Sequence, residues 1–268
     1  MKKLTGKHAG LTGFVPTMGF LQEGHLSLVR LAKKQCDVVV VSIYVNPTQF
    51  SPSEDLASYP RDFERDYALL AELEVDYIFF PDNNEMYPPD YNTWVEVKGI
   101  SEVLCGRSRP SHFRGVTTIV LKLVNIVQPD YMYMGEKDFQ QITVLKKMLK
   151  DLNSDTIIVP CPIVREPDGL ALSSRNKYLD EKQRQDALCL SKAVKLARQS
   201  VAQGCRNPEV ILNIITQFIT AAHGKIDYIE FRQSNDLSAT EIIDKETRIF
   251  LAIYIGKTRL IDNAILLQ

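Results

Sequence analysis

Eight consecutive residues, Val38-Val39-Val40-Val41-Ser42-Ile43-Tyr44-Val45, are apolar almost throughout. A strand with one wet face alternates apolar and polar side chains, so this run suits a parallel strand buried on both faces. Its neighbours agree. Gly13 to Thr17 is a short apolar stretch that ends in a turn, and His25, Leu28, Val29, Ala32 and Cys36 then recur at helical spacing. Phe63, Tyr67, Leu70 and Leu73 predict a second helix, followed by a strand over Tyr77 to Phe80. Val116, Ile119, Val120, Leu123 and Val127 predict a third helix before a strand over Tyr131 to Met134. Ile142, Leu145, Leu149 and Leu152 predict a fourth, before a strand over Thr156 to Val159. This alternation predicts an α/β fold, a Rossmann-like doubly wound parallel sheet.

The pattern changes after about Arg175. One long helix is expected from Asp180 to Ala202, closed by Gly204, and a second from the Asn207-Pro208 start to Gly224. Strands are expected over Ile226 to Phe231 and Arg248 to Ile255, with Gly256 and another apolar run beyond, antiparallel to one another. The expected division is a Rossmann-like domain at 1–165 and a smaller C-terminal α+β domain at 166–268. With 32 basic and 33 acidic residues the net charge is −1, which gives no bulk attraction to nucleic acid or an anionic membrane. No apolar stretch approaches membrane-spanning length, and the basic start MKKLTGKHAG lacks the apolar segment of a signal peptide. Five scattered cysteines without a C-x-x-C pair read as reduced thiols of a cytoplasmic protein.

Four segments carry chemistry. Phe14 to Leu26 is a strand, a glycine-containing loop and a helix start, where unpaired N–H groups and the helix dipole favour an anion; His25 stands within reach of a phosphate there. A plain strand-to-helix turn with a half-buried histidine fits the same residues. Val45 to Phe50 follows the buried strand, beyond whose carboxyl end ligands bind in open α/β sheets, and offers Asn46 and Gln49 as uncharged donors and acceptors. Met134 to Gln141 offers Lys137 as a point charge. Asp168 to Asn176 offers two hydroxyls and a guanidinium in sequence. Neither G-x-G-x-x-G nor a P-loop is present; Leu251 stands where a P-loop ending in Gly256-Lys257-Thr258 needs glycine.

Taken together, PTMG and EGHL (Pro16 to Leu26), VNPTQF (Val45 to Phe50), DLASYPRD (Asp55 to Asp62), RPSHFRGV (Arg109 to Val116), GEKDFQQ (Gly135 to Gln141), DGLALSSRN (Asp168 to Asn176) and RLIDN (Arg259 to Asn263) resemble the pantothenate synthetase (pantoate–β-alanine ligase) family, within the HxGH nucleotidyltransferase superfamily. The resemblance implies an ATP-dependent ligase that makes a pantoyl-adenylate, releases pyrophosphate, and passes the acyl group to β-alanine with release of AMP. It implies a cytoplasmic homodimer using Mg²⁺, with the C-terminal domain as a lid on the β-alanine side. Carried over by position, Met18, His25, Gly135, Lys137, Val164, Ser173, Ser174 and Arg175 match ATP-binding positions, with Asp138 on the ribose. Asn46, Gln49 and Gln141 match pantoate positions, and Asp66 an acid near Mg²⁺. Catalytic roles fall to His25, Lys137, Ser173, Ser174 and Arg175.

Two departures stand out. The family pattern has His-x-Gly-His where this chain has Gln22-Glu23-Gly24-His25, and its strand–helix preamble is longer than the dozen residues before Gly13. A glutamine amide donates a hydrogen bond as a neutral imidazole does, but it cannot replace a cationic one. Gln22 is therefore expected to keep activity at a lower rate. The alternative is a nucleotide-binding homologue in which Gln22 has impaired catalysis.

Overall fold

A computed structural model describes residues 10–52 and 54–267. The basic start of the chain, expected to be no signal peptide, lies in residues 1–9, outside the described ones. The chain divides into two compact units, one comprising the described residues up to Ser101 with Arg109–Pro162, the other Glu102–Ser108 with the described residues from Ile163 onward.

In the first unit five strands alternate with four of its helices. They run β1 (Thr12–Thr17), α1 (Glu23–Gln35), β2 (Val38–Ile43), α2 (Phe63–Glu72), β3 (Tyr77–Phe79), α3 (His112–Val127), β4 (Tyr131–Gly135), α4 (Phe139–Asp151) and β5 (Ile157–Cys161). The sheet order is β3-β2-β1-β4-β5 and every pairing is parallel. The valine run explains the centre. All six residues of β2 are buried, with Val39, Val41 and Ile43 packed with Val15, Leu26, Val29 and Ala32 on one side. Val38 and Val40 point the other way and are equally buried, so both faces are covered. The strand order reverses between β1 and β4, which places the carboxyl ends of those two strands at the topological switch point.

In the second unit α5 (Glu181–Ala187), α6 (Cys189–Ala202) and α7 (Pro208–Ala221) precede an antiparallel sheet of β6 (Lys225–Gln233), β7 (Thr247–Ile255) and β8 (Thr258–Ile265), with β7 central. Asn207 caps α7 by accepting from Glu209 N, and Pro208 follows it as expected. The single helix expected from Asp180 is broken at Leu188, whose N–H donates to Gln185 O rather than one residue further back. Ala187, Leu188, Cys189 and Leu190 are all buried at this point.

Candidate active site

The β1–α1 connection is held by side chains that grip its main chain. Thr17 Oγ1 donates to Ser42 O at 2.7 Å and accepts from Gly19 N at 3.2 Å. Gly19 and Phe20 then take positive φ values of 78° and 50°. For phenylalanine that conformation costs about 1–2 kcal/mol. It turns two successive N–H groups onto Asp66 of α2. Phe20 N lies 2.6 Å from Oδ2 and Leu21 N 2.7 Å from Oδ1, while Arg65 donates to Leu21 O at 2.9 Å. Burial lifts the Asp66 carboxyl above the usual aspartate range, and the two N–H bonds and Arg65 pull the other way.

Gln22 is the N-cap of α1 and His25 its third helical residue. The Gln22 N–H donates to His25 Nδ1 at 3.1 Å. A nitrogen that accepts carries no proton, so the neutral ring must carry its hydrogen on Nε2. Burial pulls the His25 pKa down to about 4; the Lys137 ammonium adds to the shift and Asp138 opposes it. At neutral pH His25 is therefore an uncharged Nε2–H donor at a helix N-terminus.

The β2 end supplies the second element. Asn46 is 1% exposed and its amide is fully used. Its nitrogen donates to Gln49 Oε1 at 3.2 Å and Gly115 O at 3.1 Å. Its oxygen accepts from the Thr48 hydroxyl at 3.0 Å and the Tyr87 hydroxyl at 3.0 Å. Asn46 thus shapes the turn from within. Gln49 is half-buried and donates its Nε2 to Met18 Sδ at 3.1 Å. A thioether is a weak acceptor, so this amide gains by exchanging it for a carboxylate or hydroxyl oxygen. At the end of β4, Gly135 leaves open space where a side chain would stand. Lys137 and Asp138 occupy a helical turn between β4 and α4, 3.8 Å apart at their charged atoms. Gln141 is half-buried in the first turn of α4, whereas the adjacent Gln140 is buried with its amide on Ile100 O at 3.1 Å.

The second unit holds Val164, Ser173, Ser174 and Arg175 on one folded-back segment. Val164 O accepts from Leu172 N at 3.0 Å, and Ser173 Oγ caps the following turn by accepting from Arg175 N at 3.3 Å. Behind them Asn176 donates to Glu166 Oε1 at 2.6 Å and Ala171 O at 3.1 Å. Arg184 pairs with both Glu166 and Asp168 at 2.6 Å. Arg165 forks onto the buried Asp262 at 2.7 and 2.9 Å, which gives the RLIDN segment a structural task.

The family model described as Pantoate-beta-alanine ligase matches residues 1–265. The chain belongs to the pantoate–β-alanine ligase family. The pantothenate synthetase of Caldicellulosiruptor bescii is 52% identical over 265 residues, 98% of this chain and 94% of that one. That of Thermotoga petrophila is 54% identical over 255 residues, 95% of this chain and 91% of that one. The solved pantothenate synthetase from Thermus thermophilus superposes with a TM-score of 0.93 at 42% identity, covering 96% of this chain and 94% of that one. The pantoate-beta-alanine ligase of Francisella tularensis, solved with beta-gamma ATP and beta-alanine, gives 0.82 at 39% identity, covering 98% and 93%.

Within this family fold, Gln22 aligns His25 through its main chain, which any residue but proline supplies. Sequence reasoning marked the RPSHFRGV segment but gave it no task. In the structure Arg109 and His112 both reach Gln49 O, at 3.2 and 2.9 Å, and Arg109 pairs with Glu54. The only signal available beforehand was an arginine and a histidine three residues apart at a helix start.

Proposed function

We propose that the chain is a pantothenate synthetase that joins pantoate to β-alanine through a pantoyl-adenylate. The observation that carries this reading, beside membership of the family, is the neutral His25 held as an Nε2–H donor next to Lys137 at the switch point of the sheet. In the first step a pantoate carboxylate oxygen attacks the α-phosphorus of ATP and the bond to the β-phosphate bridging oxygen breaks, releasing pyrophosphate. The carboxylate is already ionised, so no base is needed. The protein's task is to place the reactants and offset charge on the phosphates. His25 donates to a phosphate oxygen and Lys137 supplies positive charge. Gly135 leaves room for the nucleotide, and Met18 and Val164 contact it through the main chain. Asp138 is assigned to the ribose, and Ser173, Ser174 and Arg175 to the phosphates. Gln49 and Gln141 hold pantoate, with Asn46 fixing the turn that carries Gln49. In the second step the β-alanine amine attacks the acyl carbon, the bond to AMP breaks, and the amine loses a proton.

A protein-held metal does not fit the residues present. No group of three His, Cys, Asp or Glu side chains able to hold a cation occurs among the described residues. Both Asp66 oxygens accept from loop N–H groups, so we assign Asp66 to supporting the 19–21 loop in place of the Mg²⁺ role that the resemblance implies. Mg²⁺ is then a companion of the ATP phosphates rather than a resident of the protein. No helix among the described residues is long and apolar enough to cross a membrane. We assign the protein to the cytoplasm, as a homodimer.

The deciding experiment follows pyrophosphate release from ATP with pantoate alone, β-alanine alone and both, while AMP and pantothenate are measured. Sustained release only with both substrates, matched mole for mole by AMP and pantothenate, is expected. ATP binding without release in any mixture would establish the impaired homologue instead.

A further inference from the structure

We propose that Glu54, Arg109 and His112 form a positioning relay that sets the turn carrying Gln49, and so set the affinity for the acid substrate without touching it. The inference rests on the ligase reading above.

The geometry fixes each partner's state. Gln49 O only accepts, so His112 Nδ1, 2.9 Å away, must carry a hydrogen. Arg109 Nη1 only donates, so His112 Nε2, 3.2 Å away, must accept. Both contacts select the same neutral tautomer. A second proton on the ring would face a guanidinium, and burial with Arg109 pulls the His112 pKa down to about 4. Arg109 is itself aimed by Glu54, through one contact from Nε and another from Nη2 at 2.8 Å, with the two side chains 17% and 22% exposed. Its Nη2 also reaches Gln49 O at 3.2 Å. One carbonyl therefore receives two donors, each oriented by a further group.

The same helix start grips the turn from beneath. Asn46 donates to Gly115 O, and a Cβ on Gly115 would lie 2.7 Å from Gln49 N and closer still to Thr48 O. Glycine is required here because the helix touches the turn's main chain. Fixing the Gln49 carbonyl and its preceding peptide fixes the direction of its Cα–Cβ bond. The amide that the ligase reading places on pantoate is thereby aimed before substrate arrives, which lowers the ordering cost of binding.

The test measures KM for pantoate, KM for ATP and kcat in the wild type, His112→Leu, His112→Asn and Glu54→Gln. Losing one neutral donor to a part-buried carbonyl corresponds to about a tenfold loss of affinity. His112→Leu should raise KM for pantoate about tenfold and leave KM for ATP within about twofold, by the same arithmetic. His112→Asn keeps a donor near the Nδ1 position and should restore most of the pantoate KM; Glu54→Gln should fall between. Pantoate and ATP constants rising together, or no rescue by His112→Asn, would mean a merely structural role and overturn the relay. If His112→Leu does not fold, the His112→Asn and Glu54→Gln values decide. A wild type without pantoate-dependent turnover overturns the ligase reading itself; an active wild type with unchanged variants overturns only the relay.

Discussion

The two units hold their polar segments by different means. In the first, side chains grip main chain: Asp66 takes the N–H groups of Phe20 and Leu21, His25 takes that of Gln22, and His112 donates to Gln49 O. Even the Glu54–Arg109 pair ends on a main-chain carbonyl. In the second, ion pairs stand beside the main-chain bonds of Ser173 and Asn176, as Arg184 holds Glu166 and Asp168 and Arg165 holds Asp262. A main-chain grip ties a group's position to the fold and is indifferent to salt. A partly exposed ion pair such as Arg184 with Glu166 and Asp168 is adjustable, weak and screened, whereas the buried Asp262 is reached less by salt.

The sharpest way to break this comparison is at its most preorganised donor. His25→Ala should lower pyrophosphate formation about 10²- to 10³-fold, the usual loss for one preorganised donor. A loss below tenfold in single-turnover assays would show that alignment at this position does not matter. Gly115→Ala should come next. The new methyl must push the 46–49 turn aside, with a stability loss of about 1–3 kcal/mol in urea unfolding and a higher KM for pantoate.

Acid separates the units. His25 and His112 both have pKa values lowered to about 4 from an ordinary 6.5, so the unfolded chain binds more protons between those limits. The first unit should lose stability as pH falls from about 6.5 towards 4, with no further loss from these two groups below that. In the second unit, the Arg184 hydrogen bond holds the Glu166 carboxyl below its ordinary 4.5, so its contribution persists above that value and is lost only as pH falls beneath it. Trp94, the single tryptophan, lies in the first unit, so its fluorescence should begin to report acid unfolding at higher pH than the far-ultraviolet signal shared by both units. Coincident transitions at all pH values would remove the distinction. The smallest effect is expected from Arg184→Gln, whose partners are 24% and 33% exposed: at most about 1 kcal/mol, and mimicked in the wild type by 1 M salt. A cost above that of Gly115→Ala would invert the comparison.

The doubly wound sheet was legible because burial on both faces leaves a mark in the residues themselves, as in Val38 to Val41, and because helix faces repeat locally. Tyr67 and Leu152 continue the apolar spacing yet are 53% and 50% exposed, since periodicity marks a face but not where its cover ends. The break at Leu188 was hidden because an all-buried stretch has no period to read. The excursion of Glu102–Ser108 into the second unit depends on long-range partners, such as Ser108 with Asp227, that no local window contains. The candidate site residues came from strand ends and from family motifs, which name positions without naming supports. Asp66 and His112 show the gap. Their partners lie 45 and 63 residues away along the chain, on main-chain atoms that carry no sequence signature.

The bond from the Gln22 main chain to His25 separates two jobs that one residue could have combined. Aiming the ring is done by an atom common to nineteen of the amino acids, and the side chain at 22 is left to set charge and reach. Position 22 is accordingly one whose side chain can be exchanged for any but proline without losing the bond that aligns the histidine.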